Sequence, residues 1–452
     1  MTAAAEHPLL ARPILPTLAA LAAPNTLAMM SSTLVGIAET TYVGRLGIPS
    51  LAGLTVVFPL IMMMGMMSGG AMGGGVSSAI SRSLGAGDPS RTAALPMCAT
   101  VIGLTGGVFF SSLMWLVGPA LFGIMGAKGA VLIQAIAYSR VAAFAVLLMW
   151  VSNTLGAVMR GGGRMGPPAA IGLIGGVCQI LVGGLLSLGL FGAPRLGITG
   201  VALGLLASSA LTLTLGLVFL RQRAAQVRLT FRPDYLRRPL FADILRVGAL
   251  AVLSPLQSTT TVMVLTGLVA RFGVEAVAGY GIGARLEFLL IPLAFSIGVA
   301  SLPMVGVAIG SGRIDRAKRV AWTSAAAAAA ALGAVAIVFA IWPQLWAGLF
   351  THAPGAVDAT AKYLRFAALG FPFLGAVLRL YFSAQGAGRI GGPILAQSSR
   401  LAVVVIGGSI LAAIHAPMAA LFALISLSMI ALGLGAMLAV RLTPWGVATT
   451  RA

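Results

Sequence analysis

Charged residues are scarce in this sequence. Asp, Glu, Lys and Arg together make up 8% of the 452 residues, whereas a soluble globular domain carries roughly 25%. Hydrophobic residues make up 59%, and the mean hydropathy is +1.03. This composition excludes a large soluble domain. The stretches without charge are long enough to form helices that cross a hydrocarbon layer about 30 Å thick.

Cysteine and histidine are also rare. Cys98 and Cys178 both lie in apolar stretches and lack the spacing of a metal site or of a disulfide framework. His7, His352 and His415 are scattered along the chain. We therefore expect no metal centre and no cofactor. The alternating ten-residue segments of a transmembrane barrel are not visible either, so the pattern predicts an all-α polytopic membrane protein.

Apolar runs between loop signals predict twelve transmembrane helices. The segment from Arg221 to Arg246 is the one clearly polar connector, and it divides the chain almost in half. We therefore predict a six-helix lobe over residues 1–220, a basic cytoplasmic connector over 221–243, and a second six-helix lobe over 244–452. The predicted spans are residues 14–43, 51–80, 93–117, 130–158, 168–190, 197–220, 244–270, 276–308, 319–342, 361–383, 393–413 and 417–440.

Basic residues are distributed unevenly between the two predicted sides of the membrane. The termini and the even-numbered loops together carry nineteen of them, against seven in the odd-numbered loops. By the positive-inside rule both termini are cytoplasmic, and we expect a monomer in the inner membrane of a bacterium. The net charge of +20 is spread over these short loops, which favours contacts with anionic lipids over binding of nucleic acid.

The two halves of the chain resemble each other. The segment "YSRVAAFAVLLMWVSNTLGAVMRGGGRMGPP", which begins at Tyr138, shares ten of 31 positions with "YLRFAALGFPFLGAVLRLYFSAQGAGRIGGP", which begins at Tyr363. At the same offset of 225 residues, "GAGDPSR" from Gly85 matches "GSGRIDR" from Gly310. Each repeat has six predicted spans, so both have the same orientation in the membrane. This predicts two lobes related by a pseudo-two-fold axis along the membrane normal, with a cavity between them.

Only two of the nine acidic residues, Glu39 and Glu287, lie well inside predicted spans. A charge at the centre of a membrane costs about 2.5–3.5 kcal/mol on insertion scales, so such residues usually face a cavity or a partner. These two carboxylates are therefore the first candidates for chemistry.

The surroundings of Glu39 in its own helix distinguish two interpretations. It could be an interfacial residue near the outer end of the first span, satisfied by water or lipid headgroups. Asn25 and Ser32 precede it at seven-residue intervals, however, so the three side chains share one helix face. Gly36 and Tyr42 extend this face. A polar stripe with a small residue favours the interior of the bundle over lipid.

Pro24 lies inside the first span, where a proline removes a backbone hydrogen bond and can kink the helix. It is either a tolerated membrane proline or a hinge whose angle changes with the charge on Glu39. Glu287 shares its helix face with Tyr280 and Gly283. It is either paired structurally with a polar group of another span or involved in ion coupling.

Three amide side chains, Asn153, Gln179 and Gln257, lie near the centres of predicted spans. They either line a cavity or bond between helices. Arg379 and Arg400 lie close enough to the cytoplasmic face for their guanidinium groups to reach it. We therefore predict a structural role for both arginines.

Several motifs, in their order and spacing, resemble the multidrug and toxic compound extrusion (MATE) family. The likeness covers nearly the whole chain and is nearer to the DinF-type branch than to the NorM type. It implies two six-helix lobes, alternating access, and export driven by protons or sodium. The motifs are the first-span proline followed by "ETTYVGRLG", then "SRSLGAGDPSR", "VMRGGGRMGPP", "GITGVALG", "GVEAVAGYGIGARLEFLLIP" and "AQGAGRIGGP".

The resemblance also implies roles for individual residues. The family's first-span acid, commonly Asp, matches Glu39, and its kink proline matches Pro24. The branch's usual Asp in span five has no counterpart, since residues 174–199 contain no carboxylate. The span-ten Asp of sodium-coupled members is also missing from residues 360–383. A sodium site needs several hard oxygen ligands, so these losses favour protons.

The sequence therefore predicts a secondary active exporter of amphipathic or cationic small molecules, coupled to protons through Glu39 and working by alternating access. A sodium-coupled exporter is one alternative. A flippase for lipid-linked or polysaccharide substrates is another, but it would favour a cavity lined by several arginines, and only Arg285 is central. An enzyme would need a cluster of His, Asp, Glu or Cys on neighbouring turns, and the sequence shows none.

Overall fold

The structure is a computed structural model that describes residues 7–222 and 226–445. Helices make up almost all of the described chain, and short turns join them. In chain order the α-helices are α1 (Pro8–Ala11), α2 (Ile14–Gly44), α3 (Ile48–Met66), α4 (Gly73–Gly85), α5 (Pro89–Ile124), α6 (Gly129–Gly161), α7 (Gly166–Leu188), α8 (Ile198–Arg221), α9 (Arg238–Ala251), α10 (Leu253–Ala270), α11 (Val274–Gly310), α12 (Ile314–Ile341), α13 (Pro343–Ala347), α14 (Pro354–Gly386), α15 (Gly391–Ala413) and α16 (Met418–Leu442).

Eleven stretches of the described residues are long and apolar enough to cross a membrane. An all-α membrane architecture is therefore confirmed. Two of the stretches contain two α-helices each: α3 and α4 within Ile48–Gly85, and α9 and α10 within Arg238–Ala270. The predicted eighth span corresponds to α11, whose apolar segment is Ala294–Gly310. The number twelve stays a prediction.

Acidic, proline and glycine residues set the ends of several helices. The Asp88 carboxylate accepts a hydrogen bond from the backbone N–H of Arg91 at 2.9 Å and so caps α5. Pro89 lies in the first turn of α5, where a backbone N–H would have no partner within the helix. This N–H and the hydroxyl of Ser90 hold the pKa of Asp88 below its usual value. At the other end of a span, α7 stops at Gly189, whose φ of 70° glycine adopts without a Cβ penalty.

The described residues fall into two compact units. The N-terminal unit consists of residues 23–249. The C-terminal unit combines the described residues up to Ala22 with those from Leu250 onwards. These limits differ from the predicted lobes, 1–220 and 244–452, because the first turns of α2 pack within the C-terminal unit and α9 packs within the N-terminal unit.

Close packing and an ion pair hold α9 in the N-terminal unit. A Cβ at Gly75 of α4 would lie 2.7 Å from the backbone nitrogen of Gly248, so these helices approach closely because residue 75 is glycine. Asp243 of α9 pairs with Arg82 at 2.7 Å and also with Arg91. Since α9 begins inside the predicted connector, the last residues of that connector are helical.

The start of the first span belongs to the C-terminal unit. Leu18 and Ala22 of α2 join a buried apolar cluster formed largely by α11 and α12. The guanidinium of Arg316 donates hydrogen bonds to the carbonyl oxygens of Leu9, at 2.9 Å, and of Arg12, at 2.6 Å. One helix, α2, is therefore divided between the two units.

Candidate functional site

Glu39 is a buried carboxylate of the N-terminal unit, only 5% exposed, near the end of α2. Gln179 of α7 donates a hydrogen bond from its Nε2 to Oε1 of Glu39 at 2.8 Å. The phenols of Tyr42 and Tyr138 lie near enough for the charge on Glu39 to act on them. The site therefore joins α2, α6 and α7.

Glycines of α7 allow α2 to approach it closely. A Cβ at Gly176 would lie 3.1 Å from a valine side chain of α2, and a Cβ at Gly183 would lie 2.8 Å from the hydroxyl of Tyr42. Gln179 lies between these two glycines, so close packing brings its amide to Glu39. Small residues thus position the hydrogen bond.

The predicted polar face of α2 is only partly buried. Tyr42 is buried like Glu39, and its hydroxyl has no hydrogen-bond partner among the described residues. Ser32 is exposed and bonds to a carbonyl of its own helix. Asn25 is half-buried, and a Cβ at Gly36 would meet open space. The structure brings Tyr42 to Glu39 but leaves Ser32 apart.

A cavity of about 220 Å³ in the N-terminal unit reaches the hydrogen-bond partner of Glu39. Gln179 is part of its wall, so one amide side chain contacts both the cavity and the carboxylate. Asn153 of α6 also lines the cavity, which places two of the three predicted amides there. The other polar lining residues are Ser152, Arg160, Ser208, Ser209 and Thr212.

A π-helical segment, Met67–Met72, lies against the cavity-lining part of α6. Asn153 donates a hydrogen bond to the hydroxyl of Ser68 at 2.8 Å, and Arg160 donates one to the carbonyl of Gly69 at 3.3 Å. Single π-helical turns inside α-helices are rare overall, and those that occur are often found at functional sites. This one holds two polar side chains of the cavity wall.

Glu287 lies in α11 of the C-terminal unit, where the hydroxyl of Tyr363 on α14 donates a hydrogen bond to it. Tyr280 packs edge-to-face on Tyr363, with ring centroids 5.2 Å apart. Arg400 of α15 acts on Glu287 electrostatically. Gly283 leaves room for the ring of Tyr363, because a Cβ there would overlap it. This carboxylate therefore has a phenol donor and a nearby cation.

Three other predicted residues of the C-terminal unit have different surroundings. Gln257 donates a hydrogen bond to the hydroxyl of Ser398 at 2.7 Å and so links α10 to α15. Arg379 does not reach the cytoplasmic surface as expected: it is fully buried, because α14 packs tightly on α11 and α12. Arg285 is exposed and lies over the ring of Phe350, 5.2 Å from its centroid.

Two tyrosines beside the carboxylates, Tyr138 and Tyr363, are not among the predicted site residues. A signal for them was present, since they are the first residues of the two matching segments and lie 225 positions apart. Arg160 was also not predicted, and the residue at the same offset from it is Gln385. Among the described residues, no group of three or more His, Cys, Asp or Glu side chains is placed to hold a metal ion.

The sequence matches a known protein family over most of its length. The family model described as MatE matches residues 24–185 and 251–411. The chain belongs to the MatE family. The two matched segments contain Glu39, Gln179 and Glu287, so both carboxylate sites lie in the part of the chain that is characteristic of MATE transporters.

Individual relatives agree with the family. The chain is 25% identical to a FAD transporter of Shewanella oneidensis, over 82% of this chain and 82% of that protein. It is 26% identical to the probable multidrug resistance protein NorM of Rhizobium meliloti, over 74% and 72%. A solved outward-facing multidrug resistance MATE family transporter of the MOP superfamily has a TM-score of 0.85 at 23% identity, covering 97% of this chain and 98% of that one. The chain is a MATE family transporter.

Proposed function

We propose that this MATE transporter exports amphipathic or cationic small molecules across the inner membrane of a bacterium in exchange for protons. The observation that carries the proposal is the hydrogen bond from Gln179 to Glu39. Through it, a residue of the cavity wall is the direct partner of a buried carboxylate. Substrate and proton would then act on the same amide.

The chemistry of an amide explains how the two ligands exclude each other. Ionised Glu39 accepts a hydrogen bond from Nε2 of Gln179, which leaves Oε1 of the amide available to a donor group of a substrate. Protonated Glu39 becomes a donor itself and competes for that oxygen. A substrate bound at Gln179 therefore favours ionised Glu39, and a proton on Glu39 favours release of the substrate. Antiport requires this relation.

Protons suit this site better than sodium. Sodium binding requires several hard oxygen ligands around one ion. The described hydrogen-bond partner of Glu39 is an N–H donor, and the nearby groups are the phenols of Tyr42 and Tyr138. We propose Glu39 as the principal coupling group and Glu287 as a second, subordinate one.

We propose Pro24 as the hinge of the transport cycle. The division between the compact units falls between Ala22 and Ala23, directly before Pro24, while α2 continues through this point. One part of α2 therefore packs with the C-terminal unit, and the other carries Glu39. We expect Pro24→Ala to slow transport while leaving substrate affinity unchanged, as measured by initial rates and by equilibrium binding of ethidium. Unchanged rates would remove the hinge from the mechanism.

The architecture that we propose with this mechanism is twelve spans in two six-helix lobes, related by a pseudo-two-fold axis along the membrane normal. The 225-residue offset supports it, and α11 would supply the twelfth span. The lobes would open to the two sides alternately. We further propose cytoplasmic termini, a DinF-type branch, and a monomer in contact with anionic lipids.

Export of an acidic cofactor is a second candidate function. It is favoured by the likeness to a FAD transporter, together with a basic residue, Arg160, in the wall of the cavity. This candidate uses the same cavity and the same coupling group, and it differs in the substrate alone.

Transport in proteoliposomes, with pH and sodium gradients imposed separately, tests the proposal. We expect ethidium uptake by inside-out oriented transporter to follow an inwardly acidic gradient and to persist without sodium. Glu39→Gln should lose this uptake at equal amounts of reconstituted protein. Strict dependence on sodium would contradict proton coupling, and uptake without any gradient would contradict secondary active transport.

A further inference from the structure

Arg160 places a positive charge in the wall of the N-terminal cavity. None of the described residues that line this cavity is acidic. The side chain lies in the last turn of α6, and two glycines leave room for it. A Cβ at Gly73 or at Gly156 would lie 3.3 Å from a nitrogen of its guanidinium. The cavity therefore contains a cation without a carboxylate beside it.

The hydrogen-bonding capacity of Arg160 is largely unused by the protein. A guanidinium has five N–H donors. Within the described chain, its one hydrogen bond is the long one to the carbonyl of Gly69, 3.3 Å, and it forms no ion pair there. A charge inside a membrane protein normally has a partner. The arrangement leaves that partner to be supplied by whatever occupies the cavity.

A purely structural role for Arg160 would be to stabilise the end of α6, since a cation is favourable at the C-terminus of a helix. The internal repeat argues against this as the full explanation. The residue 225 positions later, Gln385, also lies in the last turn of its helix, α14, and the next residue is glycine in both halves. Of these two equivalent positions, only the one that lines the N-terminal cavity carries a charge.

We propose that Arg160 binds an acidic group, a carboxylate or a phosphate, of the molecules that this transporter exports. Asn153 and Gln179 would bind neutral polar atoms of the same molecule. A cavity of about 220 Å³ is smaller than the roughly 300–1,000 Å³ of pockets that enclose whole drug-sized ligands. It therefore has room for part of a ligand, namely an acidic head and an adjoining ring. The inference rests on the proposed function and adds to its substrates amphipathic compounds that carry an acidic group.

Two pairs of fluorescent probes test this assignment. FMN and riboflavin differ by one phosphate, and rhodamine B and its ethyl ester differ by one free carboxylate. Affinities are measured by fluorescence anisotropy on the full-length protein in phosphatidylcholine nanodiscs. We expect the wild type to bind the acid of each pair about tenfold to a hundredfold more tightly, the range for a charge-assisted hydrogen bond.

Substitutions at two arginines show whether Arg160 is the source of this preference. Arg160→Gln should abolish it and leave the affinity for the neutral probes unchanged. Arg160→Lys, which keeps the charge but loses the planar fork, should retain part of it. Arg164→Gln is the matched control, since it removes the same charge from an exposed residue four positions later, in the turn before α7. It should leave the preference intact.

Several results would overturn the proposal. One is that the wild type binds both members of each pair with equal affinity, and another is that it binds neither acid. A third is that Arg160→Gln lowers the affinity for all four probes equally. Displacement of FMN by added phosphatidylglycerol would assign the site to a lipid phosphate and overturn it as well. Proton-driven export of ethidium is measured in parallel. If ethidium is exported normally while the acids show no preference, this inference fails and the proposed function stands.

Discussion

The two intramembrane carboxylates of this transporter have different partners. Glu39 in the N-terminal unit is bonded to the amide of Gln179, which also lines a polar cavity. Glu287 in the C-terminal unit is bonded to the phenol of Tyr363 and lies near the guanidinium of Arg400. An amide can stabilise an ionised carboxylate as a donor or a protonated one as an acceptor, whereas a guanidinium stabilises only the ionised form. The two sites therefore differ in their relation to the cavity: the partner of Glu39 is one of its described lining residues, whereas the partner of Glu287 is not.

The internal repeat explains the likeness between the sites but not the acids themselves. Tyr138 and Tyr363 occupy equivalent positions, and each lies beside one carboxylate. The matching turn glycines that follow Glu39, Gly47 and Gly273, lie 226 positions apart, which pairs Glu39 with Leu265, so the two acids do not correspond. The repeat in the sequence therefore relates the two tyrosines, whereas the carboxylate beside each tyrosine belongs to one half alone.

Neutralising each carboxylate in turn should have the largest effect. Glu39→Gln keeps the size of the side chain and removes the group that we propose to exchange a proton. Proton-driven export should therefore fall to background, while Glu39→Asp should keep part of it. Glu287→Gln should reduce export far less, because we propose Glu287 only as the subordinate coupling group and its partner Tyr363 is not among the described residues that line the cavity. Initial rates of ethidium transport in proteoliposomes measure both. Equal losses in Glu39→Gln and Glu287→Gln would end the distinction between the sites.

Removing the amide beside Glu39 should have the next largest effect. Gln179→Leu leaves the carboxylate without its donor, a loss that costs about 1–3 kcal/mol for a buried group, and it removes the polar contact between cavity and carboxylate. Export should drop strongly. Gln257→Leu is the matched control, because it removes an amide of the C-terminal unit that bonds to Ser398. This variant should lose less activity. Transport rates normalised to folded protein decide between them, and a greater loss in Gln257→Leu would contradict the assignment.

The spans could be predicted from the sequence because a chain in lipid must satisfy its backbone hydrogen bonds within helices. The predicted fourth span, 130–158, is close to α6, Gly129–Gly161. The π-helical segment Met67–Met72 and the interruption at Val252 between α9 and α10 were not predicted. No charged residue marks either place. These local departures depend on packing against neighbouring helices.

The candidate site could be predicted only where a residue type is unusual for its surroundings. Glu39 was found because a carboxylate in an apolar run stands out. Tyr138 and Arg160 were not, because tyrosine and arginine are common near the ends of spans as interfacial anchors. The pairing of Glu39 with Gln179 joins residues 140 positions apart, and it depends on the arrangement of α2 against α7.

A smaller effect, on stability, is expected at the Glu287 site. Gly283→Ala would place a Cβ against the ring of Tyr363, and overpacking of this kind typically costs about 1–3 kcal/mol. Gly281→Ala, two residues earlier in the same helix, meets open space and should be neutral or slightly stabilising. Thermal unfolding in detergent measures both. Equal melting temperatures for the two variants would show that the ring of Tyr363 does not need the space left by Gly283.

The smallest effect is expected at the cap of α5 in the N-terminal unit. Asp88→Ala removes the side-chain cap and should cost about 1 kcal/mol of unfolding free energy. The pKa of Asp88 is lowered in the folded state by hydrogen bonds from Arg91 and Ser90. Its contribution is therefore complete above the unfolded pKa of about 3.9 and is lost as the pH falls through the lower folded value. Thermal unfolding at neutral and acidic pH should show the gap to wild type closing in acid, and a constant gap would contradict this.

Proton release on substrate binding tests most directly the central claim that substrate and proton exclude each other at Gln179 and Glu39. Ethidium is added to purified transporter in weakly buffered detergent near neutral pH, and an indicator dye follows the proton concentration. The account predicts that the wild type and Glu287→Gln release protons on binding, whereas Glu39→Gln binds ethidium without releasing any. Release of as many protons by Glu39→Gln as by the wild type would contradict it.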